Sequence, residues 1–528
     1  MKLYKKKQKN QNNFTSFTKN ISMKTNNLMS GAIILTIGGV LAKVFSAVYR
    51  IAITRILGGV GIGIYQLFFP IYSLFVVLAT AGLPMAISKV IAKHKGCEKT
   101  VVKKCVVSFS LVAIVLILLM IIFSKTFAWL QGNKDIYICY IILAPTILFV
   151  VISSVLRGYF QGIKNFTPSA VSNILEQIVK LAFGLVLSLI LIQINLLYAI
   201  IGAIISIVVS ELFSAVILLV NYKRFTKKSK DCNLDVSFKE IFKDVLPITL
   251  TNLILPLSSF VDSLLVVNLL KINFATDVSI FLYGLESGAV STLISLPTIF
   301  SFAIASAIMP NMSAKDNLIN KNNKLNFMLK VVLVIAVPCV IFFVFFPNKL
   351  LQILYGNRFM DFGLNGNNIA SKLLILSSFG VVGLTLNQIY SSSLQAMNYR
   401  KTTIKNLAIA VFVKFVIQLI FMPFKSLNIY ALAIANTVCY LIVFYLNNLQ
   451  INKVFKVKIK GEFLGKLLVS NTLMLLFMIG LFMFGNGLMY SISAFVVGAL
   501  VYLASLYYLN VFNNKDFLLS DGTTSHPG

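Results

Sequence analysis

The stretch CVVSFSLVAIVLILLMIIF, residues 105–123, holds no charge and no proline, and its reading decides the fold. An α-helix needs about 20 apolar residues to cross a hydrocarbon core about 30 Å thick. Lysines stand on both sides of the stretch, at Lys103, Lys104 and Lys125. Runs of the same kind recur along the chain, separated by short polar gaps. Hydrophobic residues make up 58% of the 528 residues, charged residues 12%, and the mean hydropathy is +0.88. A water-soluble domain is nearer half apolar, so lipid is the solvent of this fold and no long segment is left for a soluble catalytic domain. The runs predict an all-α polytopic protein of about fourteen transmembrane helices, the first starting near Gly31 and the last near Tyr490.

Net charge is +31, but the Lys and Arg are scattered through short gaps. They are not gathered on one module with interleaved aromatics, which argues against nucleic-acid binding. They concentrate in alternate gaps, and the positive-inside rule then sets both termini in the cytoplasm and the chain in the plasma membrane. The polar, lysine-rich start, Met1 to Asn27, reads as a cytoplasmic tail, since the run after it is too long for a cleavable signal. Six cysteines are widely spaced and only two histidines are present, so neither a metal site nor a disulfide framework is expected. The single Trp129 reads as an interface anchor.

Two stretches resemble each other. RGYFQGIKNFTPSAVSNILEQIVK (Arg157 to Lys180) and the stretch from Ser391 to Lys414 both place Gln and Lys at the same interval, Gln161 to Lys180 and Gln395 to Lys414. Each crosses a tight basic turn. Tyr198-Ala199 and Tyr430-Ala431 then open the sixth and twelfth helices alike. Six helices per half give both halves the same orientation, a parallel repeat about an axis along the membrane normal. The expected organisation is a cytoplasmic tail 1–28, a six-helix lobe 29–222, a basic linker 223–244, a second lobe 245–450, two added helices within 451–512, and a tail 513–528.

A few charges lie inside the runs: Lys43, Arg50, Arg55, Lys180 and Lys414, with Glu176, Glu211, Asp262 and Glu286. Each costs about 2.5 to 3.5 kcal/mol at mid-membrane, so such groups face water or one another and mark pathways. Lys43 and Arg50 are seven residues apart, on one helical face and about 10 Å apart along the axis. Together they make a cationic stripe. Arg55 is rotated off that face, and a snorkelling anchor is its structural alternative. Glu176 and Lys180, one turn apart, are spaced for an ion pair. Glu211 reads as interfacial. The first half thus carries more cations than acids and the second the reverse, which suggests an anion site in the first and a coupling-cation site in the second. Gly82-Leu83-Pro84, Pro145, Pro256 and Pro297 interrupt spans, as helices do where backbone borders a cavity or bends.

With three strings, KVFSAVYRIAITRILGGVGIGIYQLFFPIYSLFVVLATAGLPMAISKVIA (Lys43 to Ala92), the Arg157 to Lys180 stretch, and LPTIFSFAIASAIMPNMSAK (Leu296 to Lys315), the chain resembles the multidrug/oligosaccharidyl-lipid/polysaccharide exporter superfamily. Within its polysaccharide-transporter branch it is similar to the stage V sporulation protein B group of MurJ-like lipid II flippases. That resemblance implies a V-shaped pair of lobes working by alternating access. It implies a polyprenyl-diphosphate-linked sugar or peptidoglycan precursor as substrate, and a monomer acting beside cell-wall or sporulation machinery. Basic residues of the first helix line the cavity in such proteins, and Lys43 and Arg50 match them. Lys43 stands where Arg is more usual, which removes the bidentate geometry. Asp262 falls where some relatives carry an acid of a sodium site.

The candidate substrate-binding residues are therefore Lys43, Arg50, Arg55, Lys180 and Glu176. Asp262 and Glu286 are candidates for coupling to Na+ or H+. The expected function is flipping of a lipid II-like precursor, with membrane lipids around it, no catalytic residue, no metal and no cofactor. A cation-coupled multidrug exporter is the alternative, disfavoured by three cations and no acid on the first helix. A polyprenyl-sugar glycosyltransferase or ligase would need acid/base residues on large outer loops, and the longest offers only Asp361.

Overall fold

Backbone polar groups have no water to bond in hydrocarbon, so runs this apolar must close their hydrogen bonds within helices. The computed structural model describes residues 28–94, 96–226, 238–313, 318–356, 359, 362, 364–455, 457, 459–485 and 487–512. The expected tails apart from Leu28, half of the linker and Asp361 lie outside the described residues.

The first half comprises α1 (Leu28–Thr80), α2 (Leu83–Lys93), α3 (Glu98–Ile122), α4 (Ser124–Leu130), α5 (Tyr137–Leu143), α6 (Thr146–Gly162), α7 (Thr167–Leu191) and α8 (Leu196–Thr226). The second comprises α9 (Phe238–Asn252), α10 (Ile254–Leu270), α11 (Thr276–Gly284), a π-helical turn (Leu285–Val290), α12 (Ser291–Ser313), α13 (Leu318–Phe345), α14 (Pro347–Tyr355), α15 (Gly366–Ala396), α16 (Arg400–Phe421) and α17 (Tyr430–Val454). Two further helices follow, α18 (Gly461–Phe484) and α19 (Leu488–Tyr508). Twelve continuous helical spans among the described residues are long and apolar enough to cross a membrane. One of them, Ile34–Lys93, has 60 residues, about 90 Å of helix and enough for two crossings. It breaks at Gly58, whose φ of 67° and ψ of −170° suit only glycine. With α9 and α10 as a further crossing, the total is about fourteen.

The two halves pair their helices alike. In the first, α7 packs on α8 and α1, α6 on α8, and α2 and α3 on α6; in the second, α16 packs on α17 and α10, α15 on α17, and α12 and α13 on α15. The tight turns also repeat. Lys164 (φ 59°) and Asn398 (φ 67°) both adopt the left-handed conformation. Lys164 N–H donates to Gln161 O and Asn165 N–H to Phe160 O, as Asn398 N–H does to Gln395 O and Tyr399 N–H to Leu394 O. This is the Schellman closure of a helix end, built twice.

These turns lie on a basic face; Gly58, residues 131–133 and residues 271–275 lie on the opposite, far face. There the halves meet along a glycine seam. A Cβ on Gly63 would fall 2.2 Å from Ile280 O, one on Gly284 2.3 Å from Gly59 O, and one on Gly288 2.5 Å from Ile62 Cγ1. Small-xxx-small spacing on both partners, Gly59/Gly63 and Gly284/Gly288, lets the backbones approach as membrane helices do where dispersion rather than hydrophobicity must hold them. The largest apolar core runs from the first half across this seam into α10, α11 and α12. A second core joins α13, α15 and α17 to α18 and α19, where Tyr502 Oη donates to Val334 O at 2.7 Å.

Cys97, just before α3, is disulfide-bonded, whereas Cys105, Cys139, Cys339 and Cys439 are free thiols. Spacing along the chain does not report which loops meet in space.

Candidate substrate and ion sites

The cationic stripe of α1 faces the second half. Lys43 is half-buried, with Nζ 3.7 Å from the centroid of the Phe302 ring on α12. Gly39, one turn earlier, packs on the same ring. Arg50, also half-buried, lies within electrostatic reach of Tyr355 on α14. A cation over an aromatic face is held by the ring quadrupole while its remaining surface stays open to other partners. Arg55 is exposed, in keeping with its anchor reading, and Trp129, 63% exposed at the end of α4, sits as an interface residue does.

Lys180 and Glu176 do not join that stripe. They sit inside the first half, and they do not pair with each other as their spacing suggests. Glu176 Oε2 accepts from Arg157 Nη2 of α6 at 2.8 Å, and the same guanidinium donates to Ser214 Oγ of α8 at 3.0 Å. Lys180 Nζ lies 5.0 Å from the centroid of the Tyr49 ring and 5.9 Å from that of Phe69. Tyr49 and Arg50 are consecutive, hence about 100° apart around α1: one faces α7, the other the second half. Glu211 stands within electrostatic reach of Glu176, Arg157 and Lys180, so it belongs to this internal cluster rather than to the interface with water. Arg157 was the missing member. Its place at the head of a basic turn hid that α6 carries it one turn inward.

Asp262 and Glu286 lie in a second cluster, within the second half. Asp262 of α10 forms an ion pair with Lys414 of α16 and accepts from Gln418 Nε2 at 2.9 Å; Ser258 Oγ is 3.5 Å from Lys414 Nζ. Ser258 and Asp262 are one turn apart, as are Lys414 and Gln418. That i, i+4 spacing on both helices was a readable signal. Glu286 is 2% exposed, on the π-helical turn, a feature that often marks function in membrane and soluble helices alike. It accepts from Ser377 Oγ of α15 at 3.3 Å, and Asn436 of α17 and Lys414 stand beside it. Its Oε2 has no hydrogen-bond partner. A cavity of about 380 Å³ adjoins the cluster, lined by Lys414, Asn436 and Tyr440 at one end and by Gln395 and Thr403 near the basic-face turn. Among the described residues no three His, Cys, Asp or Glu side chains converge as a metal set.

On the far face, polar bonds reinforce the glycine seam. Gln131, fully buried, donates to Leu67 O at 2.6 Å and to Ser263 Oγ of α10 at 2.8 Å, and accepts from Tyr140 Oη. Asn268 Nδ2 donates to Leu130 O at 2.6 Å, and Lys271 Nζ to Gly132 O. Burial holds the Lys271 amine below its ordinary range. At the basic face, Thr249 Oγ1 donates to Ala81 O at 2.6 Å.

Comparison with known proteins agrees with this architecture. Residues 28–315 match the family described as "Polysaccharide biosynthesis protein". Stage V sporulation protein B of Bacillus subtilis (strain 168) is 27% identical over 450 residues, covering 82% of this chain and 85% of that protein. A solved structure of the lipid II flippase MurJ in its inward closed conformation aligns with a TM-score of 0.71 at 17% identity, over 90% of this chain and 99% of the other. An inward-facing multidrug resistance MATE family transporter of the MOP superfamily aligns with a TM-score of 0.60 at 14% identity, over 81% of this chain and 100% of the other. The family match over more than half of the chain places it in the polysaccharide biosynthesis protein family, as a multi-pass membrane protein that shares its fold with these solved transporters.

Proposed function

We propose that this protein carries a polyprenyl-diphosphate-linked sugar, a cell-wall precursor of the lipid II kind, from the cytoplasmic to the outer leaflet of the plasma membrane. The observation that carries the reading is the α1 stripe: Lys43 lies over the Phe302 ring of α12, and Arg50, on the same helical face, stands within electrostatic reach of Tyr355 of α14. A diphosphate drawn between the halves meets two cations, while its prenyl tail stays in the bilayer. No bond need be broken. The names of the relatives, one a sporulation protein and one a lipid II flippase, support this substrate class.

Alternating access needs one end closed while the other opens. The basic face is taken as cytoplasmic by the positive-inside rule, so the glycine seam and the Gln131 bonds close the outer end. With the inside negative, the membrane potential favours outward passage of a doubly negative diphosphate by about 2.3 kcal/mol per charge per 100 mV. The test is precursor exposure on the outer leaflet in cells relying on this protein, with Lys43→Ala and Arg50→Ala. Loss in both is expected; wild-type exposure in both removes the site.

A further inference from the structure

We propose that the far face carries a binding site for the phosphodiester headgroup of an anionic outer-leaflet phospholipid, set across the closed seam and built from Trp129 and Lys134 of the first half with Lys271 of the second. That this face is the outer one rests on the transport reading. The site itself rests on geometry.

Two helix ends make it. α4 closes at Gly132, whose φ of 75° is left-handed: Gly132 N–H donates to Trp129 O and Asn133 N–H to Ala128 O, a Schellman turn that fixes Lys134 just beyond it. α10 ends at Leu270, and its last residues reach across to that turn, Lys271 Nζ donating to Gly132 O and Asn268 Nδ2 to Leu130 O. A Cβ on Gly132 would fall 2.5 Å from Lys271 Nζ, so glycine is what lets the two come this close. Beside the crossing lies an open pocket of about 390 Å³, lined by Trp129, Leu130, Gly132, Lys134, Asn268 and Lys271, within the range of small-ligand sites. It draws on both halves and is whole only while the seam is shut.

The donors left over decide what the pocket takes. Asn268 spends both amide protons, on Leu130 O and Leu264 O. Lys271 spends one of its three. Among the described residues neither Lys134 nor Lys271 is paired with a carboxylate, and Asp135, next to Lys134 in the chain, does not line the pocket. The ends of α4 and α10 each bring about half a negative charge against two ammonium groups, which leaves about one positive charge over. The ligand is therefore an anion with acceptor oxygens. Placed beside Lys271, it would offset the burial that holds that amine below its ordinary range.

The source of that anion is the membrane. Trp129 is exposed, as indoles at headgroup level are. Leu130 and Ile272, next to Trp129 and Lys271 in the chain, are exposed too, and offer apolar surface to acyl chains below a phosphate held by the lysines. The transported diphosphate fits less well, because it leaves on this side only when the outer ends are apart and the pocket is in two pieces. A resident phospholipid meets it whole. Binding the closed arrangement alone, it shifts the population toward that arrangement and acts as a clasp that opening must release.

Trp129 is the only tryptophan in the chain, so its fluorescence reports on this pocket alone. The test is quenching by acyl-brominated lipid, in nanodiscs of the purified full-length protein with no substrate present. At equal mole fraction, brominated phosphatidylglycerol is expected to quench at least about threefold more than brominated phosphatidylcholine, since each lysine favours an anionic headgroup by about fivefold. Lys134→Gln should reduce the excess and Lys134→Gln/Lys271→Gln should abolish it. Lys125→Gln, which removes a charge from α4 outside the pocket, should keep it. Gly63→Val, which retains every lining residue but forces the seam, should lose it. Equal quenching by the two lipids in wild type, an excess that survives the double variant, or one lost as fully in Lys125→Gln, overturns the site. An excess retained in Gly63→Val overturns its dependence on the closed seam. Abolition by added inorganic phosphate assigns the pocket to a free anion and overturns the lipid. No substrate enters and neither Lys43 nor Arg50 is changed, so failure here leaves their assay standing, and failure of that assay leaves the lipid site standing.

Discussion

Lys180 and Lys414 stand 234 residues apart at corresponding points of the two halves, each the same interval beyond a Schellman turn, yet they meet opposite chemistry. Lys180 lies over the rings of Tyr49 and Phe69; Lys414 is ion-paired to Asp262. The repeat thus keeps the position of an ammonium and changes what it faces. One half uses the site for aromatic packing beside a balanced charge cluster, the other for a carboxylate.

The Asp262 and Lys414 pair should respond unequally to removal of its two members. Breaking a buried ion pair by deleting one partner costs about 3–5 kcal/mol, because a charge is stranded. Lys414→Met strands Asp262 and meets that cost. Asp262→Asn leaves Lys414 free to turn to Glu286, so its cost is expected to be less than half as large. Thermal unfolding of the detergent-solubilised variants checks the order, and the Asp262→Asn/Lys414→Met double variant should recover part of the Lys414→Met loss.

At the far face, Gly63→Val is expected to force the seam apart. Its first side-chain carbon would overlap Ile280 O at 2.2 Å, a backbone atom that cannot turn aside. The outer ends of the halves must separate, favouring the state open on that side. A cysteine placed at Ile62, now 2% exposed against Gly288, should become reactive toward an impermeant thiol reagent from outside, by at least tenfold over the same cysteine without the valine. Gly465→Val, where nothing lies within 4 Å, should leave labelling unchanged.

For the α1 stripe, charge and geometry can be separated. If a diphosphate is the ligand, Arg50→Lys keeps a point charge and loses the planar fork; flipping should fall by about tenfold, the worth of about 1.4 kcal/mol. Lys43→Arg should be neutral or raise the rate, since it supplies the fork where the chain has none. Precursor exposure at the outer leaflet measures both. Equal loss in Arg50→Lys and Arg50→Ala would mean that the fork, not the charge, is what binds.

Much of this was legible in the sequence for physical reasons. Hydrocarbon admits only closed hydrogen bonding, so apolar length marked the spans, and the interval from Gln161 to Lys180 marked the repeat. What sequence could not yield was pairing across helices. Spacing favoured Glu176 with Lys180, but a guanidinium on α6 offered two donors and took the carboxylate. Asp262 read as a coupling candidate, and its ion pair with Lys414 shows only once α16 is set against α10. The seam was hidden for the same cause: glycines are common in membrane helices, and only their register across Gly59, Gly63, Gly284 and Gly288 gives them work.

Arg157 tests how far the first half depends on its own balance. At the corresponding points of the second half stand Ser391 and Ala410 in place of Arg157 and Glu176, and there α15, α16 and α17 are tied by neutral amides: Asn406 Nδ2 donates to Asn447 Oδ1 and Asn447 Nδ2 to Asn387 Oδ1, both at 2.8 Å. A charged tie is therefore not required by the fold at this place. Arg157→Met alone leaves Glu176 buried and lacking its guanidinium, yet Lys180 lies one turn away and can replace it at the spacing that suits such a pair. The loss of stability should be about 1–2 kcal/mol, less than a stranded charge costs. Removing the substitute as well, in Arg157→Met/Lys180→Met, should cost more than the two single changes together. Arg157→Ser/Glu176→Ala, which copies the second half, should come close to wild type. Thermal unfolding of wild type, the two single variants and the two double variants supplies the comparison, and a charge-free double variant no more stable than Arg157→Met would show that the ion pair does more in the first half than hold three helices.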